Sequence, residues 1–580
     1  PFQLSQFGPA QAWGDMDRDG LEDFWMGSGA GHTGIFYYNK TKAGANPKFD
    51  AWMQPILRTH TAREDMGAVF LDVDADGDLD LYVASGSVES PAGSADYKDR
   101  LYLNKGWGQF TDGSNLLPDI RENSSAVAAA DFDRDGDLDI FVGTRSVVGQ
   151  YPKPADSHLL INDGTGKFRD GTREVASGLI GTGLVTGALW SDVDNDGWVD
   201  LVVSHDWGPI KVFRNREGHL ESPTPNGIQD VLGWWTGVAA ADLDNDGDMD
   251  LVASNLGTNS QYQASAQSPE LIFYGDFDGS GKAHIVEANF ENGVCYPRRG
   301  LSCSSHAMPI VKKKLQTYHN FASASLSQIY PIDRLQQSTL MKANELRSGA
   351  FLNDGSGNFE FQPLPHITQV APGFGVVLED FDLDGYTDCY IAQNHLTPQE
   401  ETGPMRGGLS QLLRRNPQSE SADDLFIPVS PLESGLVVNG DAKSVTTMDL
   451  NRDRRLDIVV GINNSTAKVF INRAANSKSA VPVRLKGLKG NADAAGSRIE
   501  VKIPGMPVQV AEVALGSGFL SNSSSRFLFA KPEDYKGAVD FVVRWPDGTS
   551  EEHQIDATGE LIVIKQPEPV VEEEEETPEA

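Results

Sequence analysis

The sequence predicts an all-β fold: a seven-bladed β-propeller, with eight blades as the alternative, followed by a small C-terminal β domain. Three observations predict it. A nine-residue acidic motif recurs along the chain, short apolar runs flank each copy, and most copies stand ~50–60 residues apart.

Composition sets the outer bounds. The 580 residues are 39% hydrophobic and 23% charged, with 59 Gly and 31 Pro, which is the make-up of a chain that buries large cores. Forty-eight basic residues against 83 acidic ones leave a net charge of −35. That excess argues against nucleic acid or an anionic membrane surface as the main partner. No apolar run reaches the roughly 18 residues of a membrane-spanning helix. Three cysteines exclude a disulfide-dense scaffold. The chain opens at Pro1 without an initiator methionine, which fits a secreted or periplasmic protein whose signal peptide has been removed.

The motif D-x-D-x-D-G-x-x-D is intact six times, starting at Asp15, Asp72, Asp131, Asp192, Asp242 and Asp380. Side-chain oxygens at positions 1, 3, 5 and 9, with the backbone carbonyl of position 7, can wrap one hard cation, and Gly at position 6 permits the sharp turn. The expected ligand sets are Asp15, Asp17, Asp19, Leu21 and Asp23; Asp72, Asp74, Asp76, Asp78 and Asp80; and Asp131, Asp133, Asp135, Asp137 and Asp139. They continue with Asp192, Asp194, Asp196, Trp198 and Asp200; Asp242, Asp244, Asp246, Asp248 and Asp250; and Asp380, Asp382, Asp384, Tyr386 and Asp388. An all-oxygen shell with four carboxylates suits Ca²⁺ better than Zn²⁺ or Mg²⁺, so about six calcium ions are expected. A seventh set, Asp449, Asn451, Asp453 and Asp457, carries Arg454 at the glycine position, and the sequence leaves its occupancy open. In the copy at Asp276, Ser280 and His284 replace two carboxylates, and a solvated acidic turn is expected there. An EF-hand needs Glu at position 12 between two helices, whereas these loops carry Met26, Val83, Val142, Val203, Ala253 and Ile391 there.

Each loop joins two strand-length runs, for example GAVFLD (67–72) and LDLYVAS (79–85). A second hairpin follows, in which an apolar stretch ends in Asn before a Gly-rich turn, as in LYLNKGWGQF (101–110), LLINDGTGKF (159–168) and AFLNDGSGNF (350–359). Four antiparallel strands thus repeat as propeller blades. The last blade, ending in KVFIN (468–472), lacks an obvious fourth strand. The opening PFQLS is expected to supply it and so hide two open edges. Residues 255–348 interrupt the fifth blade, and 308–330 have mixed helical spacing around Lys312–Lys314.

The repeats resemble the FG-GAP (VCBS-type) repeats of integrin-like propellers. Further along, NADAAGSRIEVKI (491–503), VAEVALGSGFLSNSSSRFLF (510–529) and VVRWPDGTSEEHQI (542–555) resemble the ASPIC/UnbV domain. The combination is similar to secreted ASPIC/UnbV proteins related to cartilage acidic protein, and the resemblance implies a calcium-binding propeller, secretion and no stated reaction. The chain departs from that pattern at Ala530 and Lys531, and no EGF-like module follows. The expected division is a propeller over 1–478, the ASPIC/UnbV domain over 480–566 and a disordered acidic tail over 567–580.

Cys295 and Cys303 lie in the same excursion and could form a local disulfide in an oxidising compartment, while Cys389 sits at an apolar strand position. No H-E-x-x-H, G-x-S-x-G, Walker A or C-x-x-C element is present, so no catalytic residue is assigned. Propeller topology puts the calcium loops on one face. On the other face it puts His60, Arg145, His205, Asp206, Trp207, Trp234, Asn255 and His395, polar and aromatic groups suited to a glycan or protein partner. The leading expectation is a secreted calcium-binding recognition or adhesion module without catalysis. The alternatives are a structural subunit of a cell-surface or periplasmic assembly, docked through the ASPIC/UnbV domain, and a propeller-based polysaccharide lyase or hydrolase using His205, Asp206 and His395.

Overall fold

Runs such as SSAVAAA and LVTGALWS are apolar or small at every position, so both faces of the strand can be buried, and each pairs with its successor across an acidic loop. In the computed structural model, which describes residues 7–399, 402–419, 424–474 and 478–568, these hairpins nucleate seven small antiparallel sheets. The first is ordered Gln11–Gly14, Asp23–Met26, Ile35–Asn39 and Phe49–Trp52; the second Glu64–Leu71, Asp80–Gly86, Arg100–Asn104 and Phe110–Asp112. The third comprises Ser124–Ala130, Asp139–Thr144, His158–Ile161 and Arg169–Asp170, and the fourth Leu184–Ser191, Asp200–Gly208 and Lys211–Phe213 with Gly233–Trp234 added to its second strand. The fifth runs Val238–Ala241, Asp250–Ala253, Gly349–Asn353 and Phe359–Pro363; the sixth Gly373–Glu379, Asp388–Gln393, Gln411–Arg415 and Phe426–Pro428; the seventh Ala442–Met448, Asp457–Ile462 and Lys468–Phe470.

The first strand of each sheet packs on the first strand of the next, and Ala442–Met448 of the seventh returns to Gln11–Gly14 of the first. The Trp13 indole donates to Thr446 Oγ1 at 2.9 Å and Gln11 Nε2 donates to Ser444 Oγ at 2.8 Å across that closing seam. Beneath them Trp13, Phe24, Met448, Leu450 and Val459 bury their apolar surface together. The inner strands approach backbone to backbone, which is why they carry glycine: a Cβ on Gly375 would stand 2.7 Å from the Lys443 carbonyl oxygen. Lys468–Phe470 is the last strand of the seventh sheet among the described residues. The expectation that PFQLS completes this sheet falls on residues 1–5, outside the described residues.

The excursion leaves the fifth sheet after Ala253 and returns at Gly349. Within it, Val294–Pro297, His284–Glu291, Glu270–Gly275 and Thr339–Ala343 form a separate sheet. Short helices Leu301–Ala307, Pro309–Leu315, Tyr318–Ala322, Leu326–Ile329 and Ile332–Gln337 cover it, with Phe273, Val286, Leu301, Val311 and Phe321 in a core of their own. The Asp276 segment therefore builds a sheet outside the circuit of inner strands. Cys295 packs against this core while Cys303 is exposed on the first helix, and both are free thiols rather than the expected disulfide. The strand turns one sulfur inward and the helix turns the other outward.

The C-terminal region is a two-sheet sandwich. Lys478–Lys486 pairs with Phe527–Pro532 and, in parallel, with Ile562–Lys565; the second sheet is ordered Gln509–Glu512, Arg498–Lys502, Ala538–Arg544 and Ser550–Asp556. Val481, Ile499, Val501, Phe541 and Trp545 fill the space between. Between its strands the chain throws out a finger, residues 513–524, that enters the axis of the seven sheets. Ala129 N donates to Leu515 O at 2.8 Å, Gly518 N to Val238 O at 2.7 Å and Gln11 N to Leu520 O at 3.0 Å. Ser521–Asn522 thereby becomes a parallel edge strand beside Gln11–Gly14. At the tip Phe519 packs on Phe374, with ring centroids 5.5 Å apart, and on Phe7 at 6.1 Å.

Candidate metal centres

Every acidic loop is folded by its own carboxylates. The residue at position 4 is left-handed throughout, with φ of 58° at Arg18, 55° at Ala75, 60° at Arg134, 57° at Asn195, 62° at Asn245 and 56° at Leu383. The carboxylate at position 1 accepts the amide of position 6: Gly20 on Asp15 (3.1 Å), Gly77 on Asp72 (2.9 Å), Gly197 on Asp192 (3.0 Å), Gly247 on Asp242 (3.2 Å) and Gly385 on Asp380 (2.7 Å). All of these bonds fall on Oδ2. The other oxygen, Oδ1, is buried without a hydrogen-bond partner in Asp15, Asp72, Asp131 and Asp192. Oxygens of Asp15, Asp17 and Asp19, of Asp72, Asp74 and Asp80, and of Asp131, Asp133 and Asp135 converge within 4.8 Å of one another, as do those of Asp192, Asp194 and Asp196 and of Asp242, Asp244 and Asp246.

Position 9 does a second job. Its Oδ2 accepts the amide of position 2, as Asp80 does from Val73 (3.1 Å) and Asp250 from Leu243 (2.9 Å), while Oδ1 accepts the amide that ends the third strand. That amide belongs to Asn39 for Asp23, Asn104 for Asp80, Asn215 for Asp200 and Asn353 for Asp250, at 2.7–2.8 Å. Burial, then the neighbouring carboxylates, pushes Asp131 up to about 8, and burial outweighs the amide bonds to push Asp80 and Asp250 to about 8 and Asp242 to about 7. Partnerless inner oxygens and mutual repulsion are what a divalent cation would relieve, and the all-oxygen set fits Ca²⁺. Each loop's Asp at positions 1, 3, 5 and 9 would hold it.

Protein cations pair with several of the ligand carboxylates. Lys40 Nζ lies 3.0 Å from Asp17 and from Asp19, Arg214 3.0 Å from Asp194, and Arg544 of the C-terminal sandwich 2.8 Å from Asp192 Oδ2. The seventh set fills both oxygens of its first carboxylate with backbone amides, as the loops at Asp242 and Asp380 also do. Asp449 accepts the amide of Arg454, held at φ 68°, through Oδ2 and that of Asp453 through Oδ1, while Asn451 Nδ2 donates to Asp453. The Asp276 copy closes on its own amides in the same way, from Gly279, Ser280 and Gly281.

Two further groups, unforeseen in the sequence reading, link loop to loop. In five sheets the asparagine at the end of the third strand donates through Nδ2 to the carbonyl of position 2 in the preceding loop: Asn104 to Met16, Asn162 to Val73, Asn215 to Phe132, Asn353 to Val193 and Asn472 to Phe381, at 2.7–2.9 Å, whereas Asn39 donates to Glu22 O of its own loop. Arg415 takes that place in the sixth sheet, donating to Leu243 O. The position-4 side chain reaches the following loop, as Arg134 does to Gly197 O (2.6 Å) and Asn195 to Asp248 (2.7 Å). The recurrent Asn before each Gly-rich turn was the available signal.

The residues expected on the opposite face are placed differently from that expectation. Arg145, His205, Asp206, Trp207, Trp234, Asn255 and His395 are all buried, and His60 is half-buried against Tyr102. Arg145, Asp206, Trp207 and Trp234 do come together: Arg145 Nη2 lies 3.3 Å from Asp206 Oδ2, Trp207 Nε1 donates to Tyr151 OH at 2.8 Å, and the two indoles meet edge to face at 4.5 Å. His205 turns the other way, to Pro209 O at 2.9 Å, because successive residues on a strand face opposite sides. Burial and Lys211 push its pKa down to about 3. Asn255 is spent on backbone, accepting from Trp234 and Leu256 and donating to Glu345 and Arg347. His395 packs beside Lys443, whose Nζ also meets Asp441 at 2.6 Å and Asn394 O at 3.0 Å over the Phe374 ring. These side chains finish the packing at strand ends, so exposure inferred from topology alone does not hold. The proposed acid–base trio of His205, Asp206 and His395 faces three different sets of partners.

Comparison with known proteins bears on the repeats and on the sandwich. The family described as FG-GAP-like repeat matches residues 85–142 and 192–253, and the family described as ASPIC and UnbV matches 487–571. No curated protein matches the chain. Among solved structures, rhamnogalacturonan lyase YesW shares 12% identity over 81% of this chain and 90% of its own, with a TM-score of 0.26. BBS1N in complex with ARL6DN shares 10% identity over 70% and 92%, with a TM-score of 0.26, and the Bacillus licheniformis rhamnogalacturonan lyase PL11 shares 12% over 80% and 81%, with a TM-score of 0.27. The chain is thus an all-β protein that carries FG-GAP-like repeats followed by a C-terminal ASPIC and UnbV domain.

Proposed function

We propose that this chain is a secreted, calcium-loaded β-propeller whose seven sheets are its blades, acting as a non-catalytic recognition or adhesion module for a glycan or protein partner. The observation that carries the calcium reading is the set of buried, partnerless Oδ1 atoms at Asp15, Asp72, Asp131 and Asp192, each within a cluster of carboxylates. No helix among the described residues is long and apolar enough to cross a membrane. The C-terminal sandwich occupies the loop face through contacts such as Arg544 to Asp192. That leaves the opposite face, with the helical excursion beside it, as the surface for a partner.

The test is a calcium titration of the chelator-treated protein, followed by native mass spectrometry and thermal melting. About six ions are expected. Each contributes about 2.7 kcal/mol at a hundredfold excess over its Kd, so the melt should fall by many degrees in EGTA and recover on adding CaCl₂. A melt that does not move between EGTA and millimolar CaCl₂, with no bound ion by mass, would refute the reading.

A further inference from the structure

The finger 513–524 enters the axis from the loop face. Ser191, which directly precedes the loop at Asp192, donates to Glu512 at 2.6 Å where the finger goes in, and Arg526 donates to Gly20 O at 2.8 Å where it comes out. The sandwich that carries it is seated on the loops themselves. Arg544 meets Asp192, Arg498 Nη1 donates to Asn195 Oδ1 at 2.8 Å, and Asn245 Nδ2 donates to Val508 O at 3.0 Å. Three loops, at Asp15, Asp192 and Asp242, therefore hold both a carboxylate cluster and a contact on which the finger's position depends, directly or through the sandwich.

We propose that the finger is a cation-controlled plug: cation occupancy of the loops and insertion of 513–524 into the propeller axis are coupled, and loss of cation releases the sandwich and opens the axial channel. This rests on the calcium reading above. The physical route is short. Four mutually repelling carboxylates spread when the cation leaves, and the positions of Asp192, Asn195 and Asn245 move with them. Coupling of this kind is reciprocal, so a finger that cannot insert must also weaken cation binding.

Hydrogen exchange on the full chain in CaCl₂ and in EGTA tests it. Peptides covering 513–524 should exchange more than tenfold faster in EGTA, while the separate sheet around 270–297 keeps its protection. Gly516 has φ 92° and a Cβ there would collide with the Val127 carbonyl oxygen, so Gly516→Val should expose the finger even in CaCl₂ and raise the apparent calcium Kd about tenfold. Should that variant fail to fold, the pair Ala129→Cys and Leu515→Cys, built on residues already bridged, pins the finger once oxidised and must abolish the EGTA effect. Calcium bound by mass with finger exchange identical in both conditions would overturn the coupling alone. Absence of bound calcium would overturn the calcium reading and this inference with it.

Discussion

Replacing Asn215 with alanine isolates the contribution of one inter-sheet stitch. Asn215 is fully buried; its Nδ2 donates to Phe132 O at 2.7 Å and to Val199 O at 3.1 Å, and its Oδ1 accepts from Gly218 N at 3.0 Å. The backbone bond from Asn215 N to Asp200 survives the change, so the acidic loop keeps its own staple. The substitution leaves two carbonyls and one amide without partners, and at about 1 kcal/mol each the loss is about 3 kcal/mol. A cooperative unit of ~470 residues melts with an entropy of about 1 kcal/mol/K, so the midpoint should drop by about 3 °C in saturating calcium. Scanning calorimetry of both proteins at equal CaCl₂ reads the shift. Asn215→Asp should lose more, because its carboxylate would face the two carbonyls and stand beside Asp200. A melt for Asn215→Ala within a fraction of a degree of the parent would refute the claim that these asparagines tie sheet to sheet.

Three other outcomes follow from the buried polar groups. His205 is held neutral with its pKa near 3, well below the ordinary 6.5, so its contribution is complete above pH 6.5 and lost progressively as pH falls toward 3. The stability gap between the parent and His205→Gln should therefore narrow by about 3 kcal/mol between pH 7 and pH 4.5, read by denaturant titration at fixed CaCl₂; a constant gap would contradict a neutral buried imidazole. Lys443→Met leaves the buried Asp441 carboxylate without its cation and should destabilise by about 3–5 kcal/mol, with much of the loss recovered when Asp441→Leu is added. Thiol titration should find Cys303 reacting fast, Cys295 slowly because burial pushes its pKa up to about 11, and Cys389 only on unfolding; an intact protein lacking the first two thiols would restore the disulfide.

The hairpins were legible because each acidic loop constrains itself locally. Asp at position 1 must accept the amide of position 6, so the Asp–Gly spacing that suggests a cation also fixes the turn, as at Asp72 and Gly77. The excursion was legible from its interruption of the repeat between Ala253 and Gly349. The finger was not: its bonds join Leu515 to Ala129 and Leu520 to Gln11, residues hundreds of positions apart, and they are made by backbone atoms that leave no residue signature. The opposite face was misread for a related reason. Topology locates strand ends such as Asp206 and His395, but only packing decides that Arg145 and Lys443 will bury them. The asparagines stood in plain view at the end of every third strand but the sixth, where Arg415 takes their place. Their meaning lies in carbonyls of the preceding sheet, as with Asn353 and Val193, which no single repeat contains.

The two oxygens of Asp192 show how one face can serve a cation and a domain together. Oδ2 is committed outward, accepting Gly197 N at 3.0 Å and the Arg544 guanidinium at 2.8 Å, while Oδ1 remains buried and partnerless. A protein cation that filled the inner oxygen would neutralise the cluster and remove its need for a metal. One that touches only the outer oxygen instead reads whether the carboxylate is held in place. The loop at Asp449 makes the contrast, since both of its oxygens accept backbone amides and its neighbours at 452, 454 and 455 are arginines. Such a loop can keep its fold on internal bonds, as the loops at Asp242 and Asp380 also can, so under the proposed calcium reading the loops at Asp15, Asp72, Asp131 and Asp192, with their partnerless Oδ1 atoms, would gain most from a cation. The last of these is the one whose first carboxylate takes an arginine of the C-terminal sandwich, while Arg526 reaches the loop at Asp15 through the Gly20 carbonyl.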